Sequence, residues 1–371
     1  MSPTVLHINC NLIFTSLYYN LFRALSNTGI SQTVWVPHKK YHIPSEPEKI
    51  NRLKYYFTGY QDFFDRALFR RKINKGLHTY TAKESSLAAD VIHAHTLFSD
   101  GALAYELNAK TGIPYIVTVR NTDVNVFWKY FKHLHGYGQR IAKNASAIIF
   151  LSPSYKKRMM KPLFSQHYKE FNSRAHVIPN GLDPYWLSCA PVQKKKSDKK
   201  VRVLFVGSFV KNKNIEKLVQ ACSILDAKGL DVALRLVGAM SESDFAYAKK
   251  VNWIETLSFS KQKDELREHY RWADVFVMPS FRESFGLVYA EALSQGTPVV
   301  FTRGQGFDGW VTEGICGCGV SPRNANEIAS KILLLQRDGD EECCRKEAAK
   351  FIWKAIAGNY SAIYIKSIDG S

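Results

Sequence analysis

"DVFVMPSFRESFGLVYAEALSQGTPVVFT" (residues 274–302) carries the fold assignment. "DVFVMPS" is a short apolar run that ends at Ser280. "FGLVYAEALSQG" is apolar and rich in helix formers, with Gly296 as its stop. "PVVFT" is a second short apolar run. Two buried strands joined by one helix make a parallel pair, because parallel strands need a crossover connection. Glu283 and Glu291 stand on either side of the step into that helix.

The same alternation extends in both directions. Upstream lie the strands "VRVLFVGSF", "VALRLVG" and "NWIETLS" and the helices "NIEKLVQACSILDAKG" and "KDELREHYRWA"; downstream lies the helix "NANEIASKILLLQRDG". The first half repeats the pattern. Its strands are "TVLHINC", "SQTVWVP" (stopped by Pro37), "ADVIHAH", "IPYIVTV", "ASAIIFLSP" and "AHVIPNG". Helices "TSLYYNLFRALSNTG" and "GALAYELNAKTG" close on glycine. Short apolar strands separated by helices imply parallel sheets covered on both faces. "APVQKKKSDKK" (residues 190–200) is polar and charged and reads as a seam. The expected organisation is an N-terminal Rossmann-like domain over 1–185 and a C-terminal one over 186–350. A helix over 351–371 follows. Ligands of doubly wound folds sit at the carboxyl ends of the strands, so functional residues are sought there.

Composition narrows the class. The chain has 371 residues, 46% of them hydrophobic, enough for two cores. No apolar run approaches the length of a membrane span, and the start has no basic leader region, so a cytoplasmic chain is expected. Net charge is +18, concentrated in residues 1–185, where 24 Lys/Arg face 11 Asp/Glu. "KKYHIPSEPEKINRLKYYF" and "DFFDRALFRRKINKGLHTY" interleave cations with rings, which suits an anionic membrane surface. The alternatives are a solvated basic face and a nucleic-acid surface. The charges invoked at the membrane are Lys54, Arg66, Arg70, Arg71, Lys72 and Lys75; the rings are Tyr55, Tyr56, Phe57, Phe63, Phe64 and Phe69. Of the seven cysteines, Cys316, Cys318, Cys343 and Cys344 miss the usual zinc spacings, so reduced thiols and no metal are expected.

At Ser280 a strand ends, and a helix is expected to start near Ser284 or Phe285. Its first amides are unpaired and carry the positive end of the helix dipole, a seat for phosphate. Gly286 leaves those amides uncovered, and Glu291, roughly two turns on, can accept both hydrogen bonds of a vicinal diol. In "VGSFVKNKNIEKL", Gly207 ends a strand and permits close backbone approach, and a helix starts near Asn214 or Ile215. Lys213 can set a point charge on a phosphate there.

These pieces, with "CGCGVSPRNANEIASKI", "DVIHAH", "VIPNGLD" and "FIWKAIAGNYSAIY", resemble the retaining family 4 glycosyltransferases (glycosyl transferases group 1). That family has the GT-B fold, α/β with two Rossmann-like doubly wound domains facing across a cleft. Glu283-x7-Glu291 matches the family's donor-site signature. The resemblance implies that Lys213 and the amides of Phe285, Gly286, Leu287 and Val288 hold the donor diphosphate. Glu291 would hold the ribose and Glu283 the donor sugar; Gly207, Ser208 and Ser284 would complete the donor site. It implies a nucleotide-sugar co-substrate such as a UDP- or GDP-sugar, no cofactor and no metal, since cations and amides stabilise the departing diphosphate. Asp338-Gly-Asp340, formally a D-x-D, reads as a solvated connection.

The sequence departs from the family at three places. Ser208 stands where an arginine is common, and "NCNLIFTS" replaces a glycine-rich loop, leaving its task to Asn11 or Ser16. Arg120 stands near where a histidine is frequent; it could supply a cation to the diphosphate or to an acidic sugar. Asp123 could orient a sugar or acceptor hydroxyl, the alternative being an ion pair with Arg120. His93 and His95 share a strand face, and His95 is assigned to acceptor contact, against a structural role. The resulting expectation is a transferase acting on a lipid-linked or polysaccharide acceptor, peripheral at the inner face of the cell membrane. A nucleotide-sugar epimerase of similar fold and a nucleic-acid-binding protein are the competing readings.

Overall fold

Each short apolar run finds its neighbours in parallel. The structure, a computed structural model, describes residues 2–15, 17–41, 46–66, 68–83, 89–188, 199–239, 251–260 and 262–370. Ser16, Cys189 and most of the 190–200 seam lie outside these residues. The chain forms two compact units, one of residues 1–181 with 353–371 and one of residues 182–352; the sequence reading had put the boundaries at 185/186 and 350/351.

In the first unit the strands are β1 (Thr4–Ile8), β2 (Ser31–Lys39), β3 (Leu53–Gln61), β4 (Val91–Ala94), β5 (Tyr115–Val119), β6 (Ala147–Phe150) and β7 (Ala175–Val177). They lie in the order β3-β2-β1-β4-β5-β6-β7, all parallel. The order reverses between β1 and β4, which makes their carboxyl ends the switch point. Its helices include α1 (Leu17–Ser26), α2 (Phe69–Lys83), α3 (Ser99–Thr111), α4 (His135–Asn144) and α5 (Pro153–Phe164).

Two expectations are corrected here. Pro37 does not stop β2, which runs on to Lys39. Pairing of β2 with β1 ends at Trp35, so beyond it only the β3 side needs hydrogen bonds and the missing N–H is tolerated. Leu53–Gln61, read as a basic aromatic surface, is the edge strand β3. Tyr55, Tyr56 and Phe57 are half-buried in it, and Phe69 is buried at the start of α2, so these rings pack the unit itself. Phe63 stays 80% exposed. The side chains of Phe64 and Arg66 lie outside the described ones.

The second unit contains β8 (Lys200–Val206), β9 (Asp231–Val237), β10 (Ile254–Leu257), β11 (Val275–Val277), β12 (Val299–Thr302) and β13 (Gly317–Val320). Their order is β10-β9-β8-β11-β12-β13, again parallel, with the switch between β8 and β11. Helices here include α6 (Pro184–Ser188), α7 (Ile215–Asp226), α8 (Lys263–Trp272), α9 (Leu287–Ser294), α10 (Ala325–Asp338) and α11 (Glu341–Ala348). β11, β12 and β13 are fully buried and β8 nearly so, which is why they read as continuous apolar runs, whereas the edge strand β10 has no buried residue. The last helix, α12 (Trp353–Asp369), belongs to the first unit: Trp353, Ile356, Tyr360 and Tyr364 are buried in one cluster with Phe22 and Leu25 of α1.

The expected set of reduced thiols needs correction. Cys316 and Cys343 are joined as a disulfide, with Cα atoms 6.3 Å apart, inside the range a bridge requires. Helix α11 brings Cys343 beside the residue before β13. Cys10, Cys222, Cys318 and Cys344 form no disulfide among the described residues. No helix among the described residues is long and apolar enough to cross a membrane.

Candidate functional site

The loops leaving β8 and β11 sit side by side at the switch point of the second unit and are stitched together. Phe281 N–H donates to Asn212 O at 2.8 Å, and Asn212 Nδ2 donates to Arg282 O at 2.8 Å. Asn214 takes a left-handed conformation (φ 58°) and its Nδ2 donates to Pro279 O at 3.0 Å and Pro322 O at 2.6 Å. Asparagine tolerates that conformation better than other non-glycine residues, and its amide supplies two donors. Neither asparagine was singled out from sequence, because a side-chain bond across some 70 positions leaves no local pattern.

This frame fixes Lys213 against Glu283. Lys213 Nζ donates to Glu283 Oε2 at 2.6 Å, and their side chains are 21% and 12% exposed. Glu283 N–H donates to Gln305 Oε1 at 3.2 Å, and Glu283 O accepts from Gly306 N–H at 3.1 Å. Thr302 Oγ1 donates to Ser280 O at 2.6 Å, bracing the end of the β11 run. Lys213 and Glu283, assigned from sequence to diphosphate and sugar, are thus direct partners. The ammonium has three donors; Glu283 takes one and Met278 Sδ, at 3.4 Å, another. Ser208 is exposed and Gly207 follows β8 directly, its N–H donating to Val237 O at 2.9 Å. The tight approach is carried by Gly238, where a Cβ would lie 1.9 Å from Gly207 O.

Helix α9 starts later than expected, at Leu287, with Gly286 as its N-cap at φ 77°. A side chain there would be strained and would also meet the Tyr289 ring at 2.6 Å. Phe285 is buried, its ring edge-on to Phe307 and Phe351, and this anchors the turn. Ser284 is exposed, its N–H donating to Glu283 Oε1 at 3.2 Å. The amides of Leu287 and Val288 open the helix and have no intrahelical acceptor. The later start also corrects the spacing: Glu291 lies about one turn, ~6 Å, along the axis from Leu287 rather than two.

Glu291 accepts from Tyr270 Oη at 2.9 Å. Burial pushes its carboxyl up to about 7; Asp183 adds to the rise, while the Tyr270 hydroxyl and Lys263 oppose it. Tyr270, on the inner face of α8, was not identified as a site residue from sequence.

In the first unit the assigned residues form a buried polar knot. Arg120 follows β5; its Nε donates to His95 O at 2.9 Å and its guanidinium lies 5.0 Å from the Tyr18 ring centre. Asp123 is fully buried and accepts from the N–H groups of Arg120 (2.8 Å), Leu97 (3.0 Å) and Phe98 (3.1 Å). This corrects both readings of Asp123: its two carboxylate oxygens are taken by backbone amides that tie the exits of β4 and β5 together, and it forms no ion pair with the Arg120 side chain among the described residues. Burial pushes its carboxyl up to about 6 against those donors. His95 is also corrected. It is fully buried, stacked on His93 with ring centres 4.1 Å apart and linked through Nε2 to His7 Nδ1 at 3.0 Å. Burial, and then the neighbouring imidazoles and Arg120, hold His95 well below its usual range, so it is neutral. The shared face of His93 and His95 is as read. Asn11, half-buried, donates its N–H to Asn9 Oδ1 at 3.0 Å after β1.

Two groups among the described residues have metal-ligand chemistry, His7–His93–His95 and Cys316–Cys343–Glu347. In the first, His93 nitrogens already meet Tyr364 Oη (2.8 Å) and Thr118 Oγ1 (2.9 Å), and the other two rings bond each other. In the second, the sulfurs are bonded together. Asp340 caps α11 by accepting from Cys343 N–H at 2.8 Å, and Asp338 pairs with Arg337, so the D-x-D carboxylates have local partners.

Comparison with known proteins gives the geometry a family. Residues 190–353 match the family described as Glycosyl transferases group 1, and residues 16–186 match Glycosyltransferase Family 4. A D-inositol 3-phosphate glycosyltransferase of Pseudarthrobacter chlorophenolicus is 31% identical over 269 residues, covering 67% of this chain and 63% of the relative. Sucrose-phosphate synthase of Thermosynechococcus elongatus superposes with a TM-score of 0.73 at 20% identity over the full length of both chains. An Anabaena protein in complex with UDP-glucose does so with a TM-score of 0.62 at 15% identity, covering 97% of this chain and 98% of that one. With two parallel doubly wound units, and matches that run from residue 16 to 353 almost without a break, the chain belongs to the family 4 glycosyltransferases and has the GT-B fold.

Proposed function

We propose that this glycosyltransferase takes its sugar from a nucleoside-diphosphate donor, with retention of anomeric configuration, and passes it to a lipid-linked or polysaccharide acceptor in cell-surface glycan assembly. The observation that carries the donor reading is the convergence of Lys213, Glu283 and the open first turn of α9 at one switch point. Departure of a nucleoside diphosphate builds negative charge on its terminal phosphate. A fixed ammonium and uncovered helix amides meet that charge without reorganising. Glu283 keeps Lys213 in place, and its carboxylate, held at both backbone ends, takes the sugar hydroxyls. Glu291 takes the ribose diol, displacing the Tyr270 hydroxyl or sharing with it. The UDP-glucose bound by the Anabaena protein agrees with this class of donor. Retention rests on the family resemblance.

Transfer is expected to need no divalent metal, because these groups meet the leaving-group charge themselves. The test is a transfer assay with a panel of nucleotide sugars, with and without EDTA, reading the product anomer by NMR. Unchanged turnover in EDTA and a retained anomer support the mechanism. Loss of transfer restored by Mg²⁺ or Mn²⁺ would overturn the metal-free reading, and an inverted product would overturn retention.

The proposal extends to an anionic membrane surface as partner and to an inner-face location. Of the charges invoked, Arg71 and Lys75 are turned inward to Asp62 and Asp65, and Lys72 donates to Ser99 Oγ at 3.0 Å. Among the described side chains invoked, Lys54 and Arg70 remain exposed without an ion pair, and Phe63 and Leu68 are exposed as well. Each cation near such a surface contributes on the order of 1 kcal/mol, weakened by salt. The full chain should therefore sediment with phosphatidylglycerol vesicles at low salt and be released at high salt, and Phe63→Ser should weaken the binding. Failure to sediment at low salt would leave a solvated basic face and favour a soluble saccharide acceptor.

A further inference from the structure

We infer that the first unit holds a separate site for a phosphate ester, in a cleft of about 470 Å³ between the starts of α2 and α4. The proposal deepens the acceptor side of the function above and rests on that reading for its role, though not for its chemistry. Arg70, Arg71, His133 and Arg140 line the cleft, and no acidic residue among the described ones does. Arg71 is already neutralised by Asp62 and Asp65. Arg70 and Arg140 are exposed and form no ion pair among the described residues. Two unpaired guanidiniums facing one concavity match the oxygens of a phosphate, which each can grip with two parallel N–H groups.

The backbone adds to the same field. Helix α2 begins at Phe69 and α4 at His135, and neither has an acidic residue in its first turn; the residue capping α4, Leu134, supplies no side-chain bond. Phe69 packs edge-on against the Tyr137 ring with centres 6.2 Å apart, so the two helix starts are held together by buried contact. Leu68 and Leu134 give the cleft an apolar wall. The position is consistent with an acceptor role. Helix α2 follows β3 and α4 follows β5, so both starts are reached from carboxyl ends of the sheet, the side where doubly wound folds bind ligands. The phosphate could be carried by a soluble sugar phosphate or by a lipid headgroup, and the test separates the two.

The full chain is titrated by calorimetry with inorganic pyrophosphate. Two sites are expected, one weakened by Lys213→Ala and the other weakened at least tenfold by Arg70→Gln with Arg140→Gln. Both arginines are exposed, so thermal unfolding of that variant should match wild type. Lys157→Gln with Lys161→Gln removes the same charge from exposed positions of α5 and should leave both sites intact. Loss in the arginine variant alone supports the cleft; equal pyrophosphate binding by the arginine variant and wild type, or equal loss in the lysine control, overturns it. If Lys213→Ala changes nothing while the arginine variant loses a site, the donor assignment fails and the cleft stands. In a second arm, glucose 6-phosphate and vesicles of phosphatidic acid in phosphatidylcholine are compared. Arginine-dependent binding of the first assigns a soluble phosphate; arginine-dependent binding of the second assigns a lipid headgroup.

Discussion

Lys213→Ala should lower turnover by about 10²–10³, the usual cost of removing one group aimed at charge that develops in the transition state. Lys213 sits at the mouth of the β8 loop, 2.6 Å from Glu283, and the donor that Glu283 and Met278 Sδ leave is available to a leaving phosphate. The variant also leaves Glu283 partly buried without its cation, and an uncompensated charge destabilises more than removal of both partners. Lys213→Ala with Glu283→Gln should therefore regain thermal stability over Lys213→Ala without regaining turnover. Steady-state kinetics and thermal unfolding on the two variants separate these effects. Near-normal turnover in the single variant would show that another cation of the same loops, Lys211 or Arg282, carries the leaving-group charge.

Glu291→Ala should weaken donor binding by about 1–3 kcal/mol, the value of hydrogen bonds to a charged acceptor with the ribose diol left unpaired. Its raised carboxyl gives the effect a pH signature. The folded group sits near 7 against an ordinary value near 4.5. The protonated form is favoured by folding, so the contribution of Glu291 to the stability of the free protein is fully present at low pH. Stability falls as pH rises from about 4.5 and levels off above 7. Donor affinity runs the other way, because the carboxylate accepts two hydrogen bonds from a diol. It should rise through pH 7 in the wild type and stay flat in Glu291→Gln. Glu291→Gln should also stabilise the free chain above pH 7. Calorimetry with a nucleotide sugar, whose diphosphate does not titrate in this range, at pH 6 and pH 8 checks the affinity, and thermal unfolding at pH 8 checks the stability; equal affinity in wild type and variant would remove Glu291 from the diol role.

The strand-helix alternation was legible because buried parallel strands must be apolar along their whole length, and "DVFVMPS" and "VRVLFVG" leave no other reading. Edge strand β3 was not, because an edge strand tolerates lysine and tyrosine, and "LKYYFTGYQ" looks like a surface. The positions of Lys213 and Glu283 in the loops after β8 and β11, and of Glu291 in the helix that follows, could be read from the strand ends. Their partners could not. Gln305 and Tyr270 reach the site from other segments, and side-chain bonds between distant segments leave no periodicity to read. Asp123 and His95 were misassigned for a related reason. A position at a strand end says which sheet edge a residue occupies, but burial by neighbouring helices decides whether it meets a ligand. Here α12 and α1 pack rings over the histidines: Tyr360 lies 5.3 Å from His93, and Phe22 lies 5.9 Å from His95.

The donor diphosphate is expected on the second unit, at the open end of α9. A crystal structure of the chain soaked with a nucleoside diphosphate tests this directly. The expected result is the diphosphate on Lys213 and the amides of Leu287 and Val288, with the ribose hydroxyls on Glu291. Density for the nucleotide at any other place on the second unit, with Lys213 still closed on Glu283 and α9 uncovered, would contradict it.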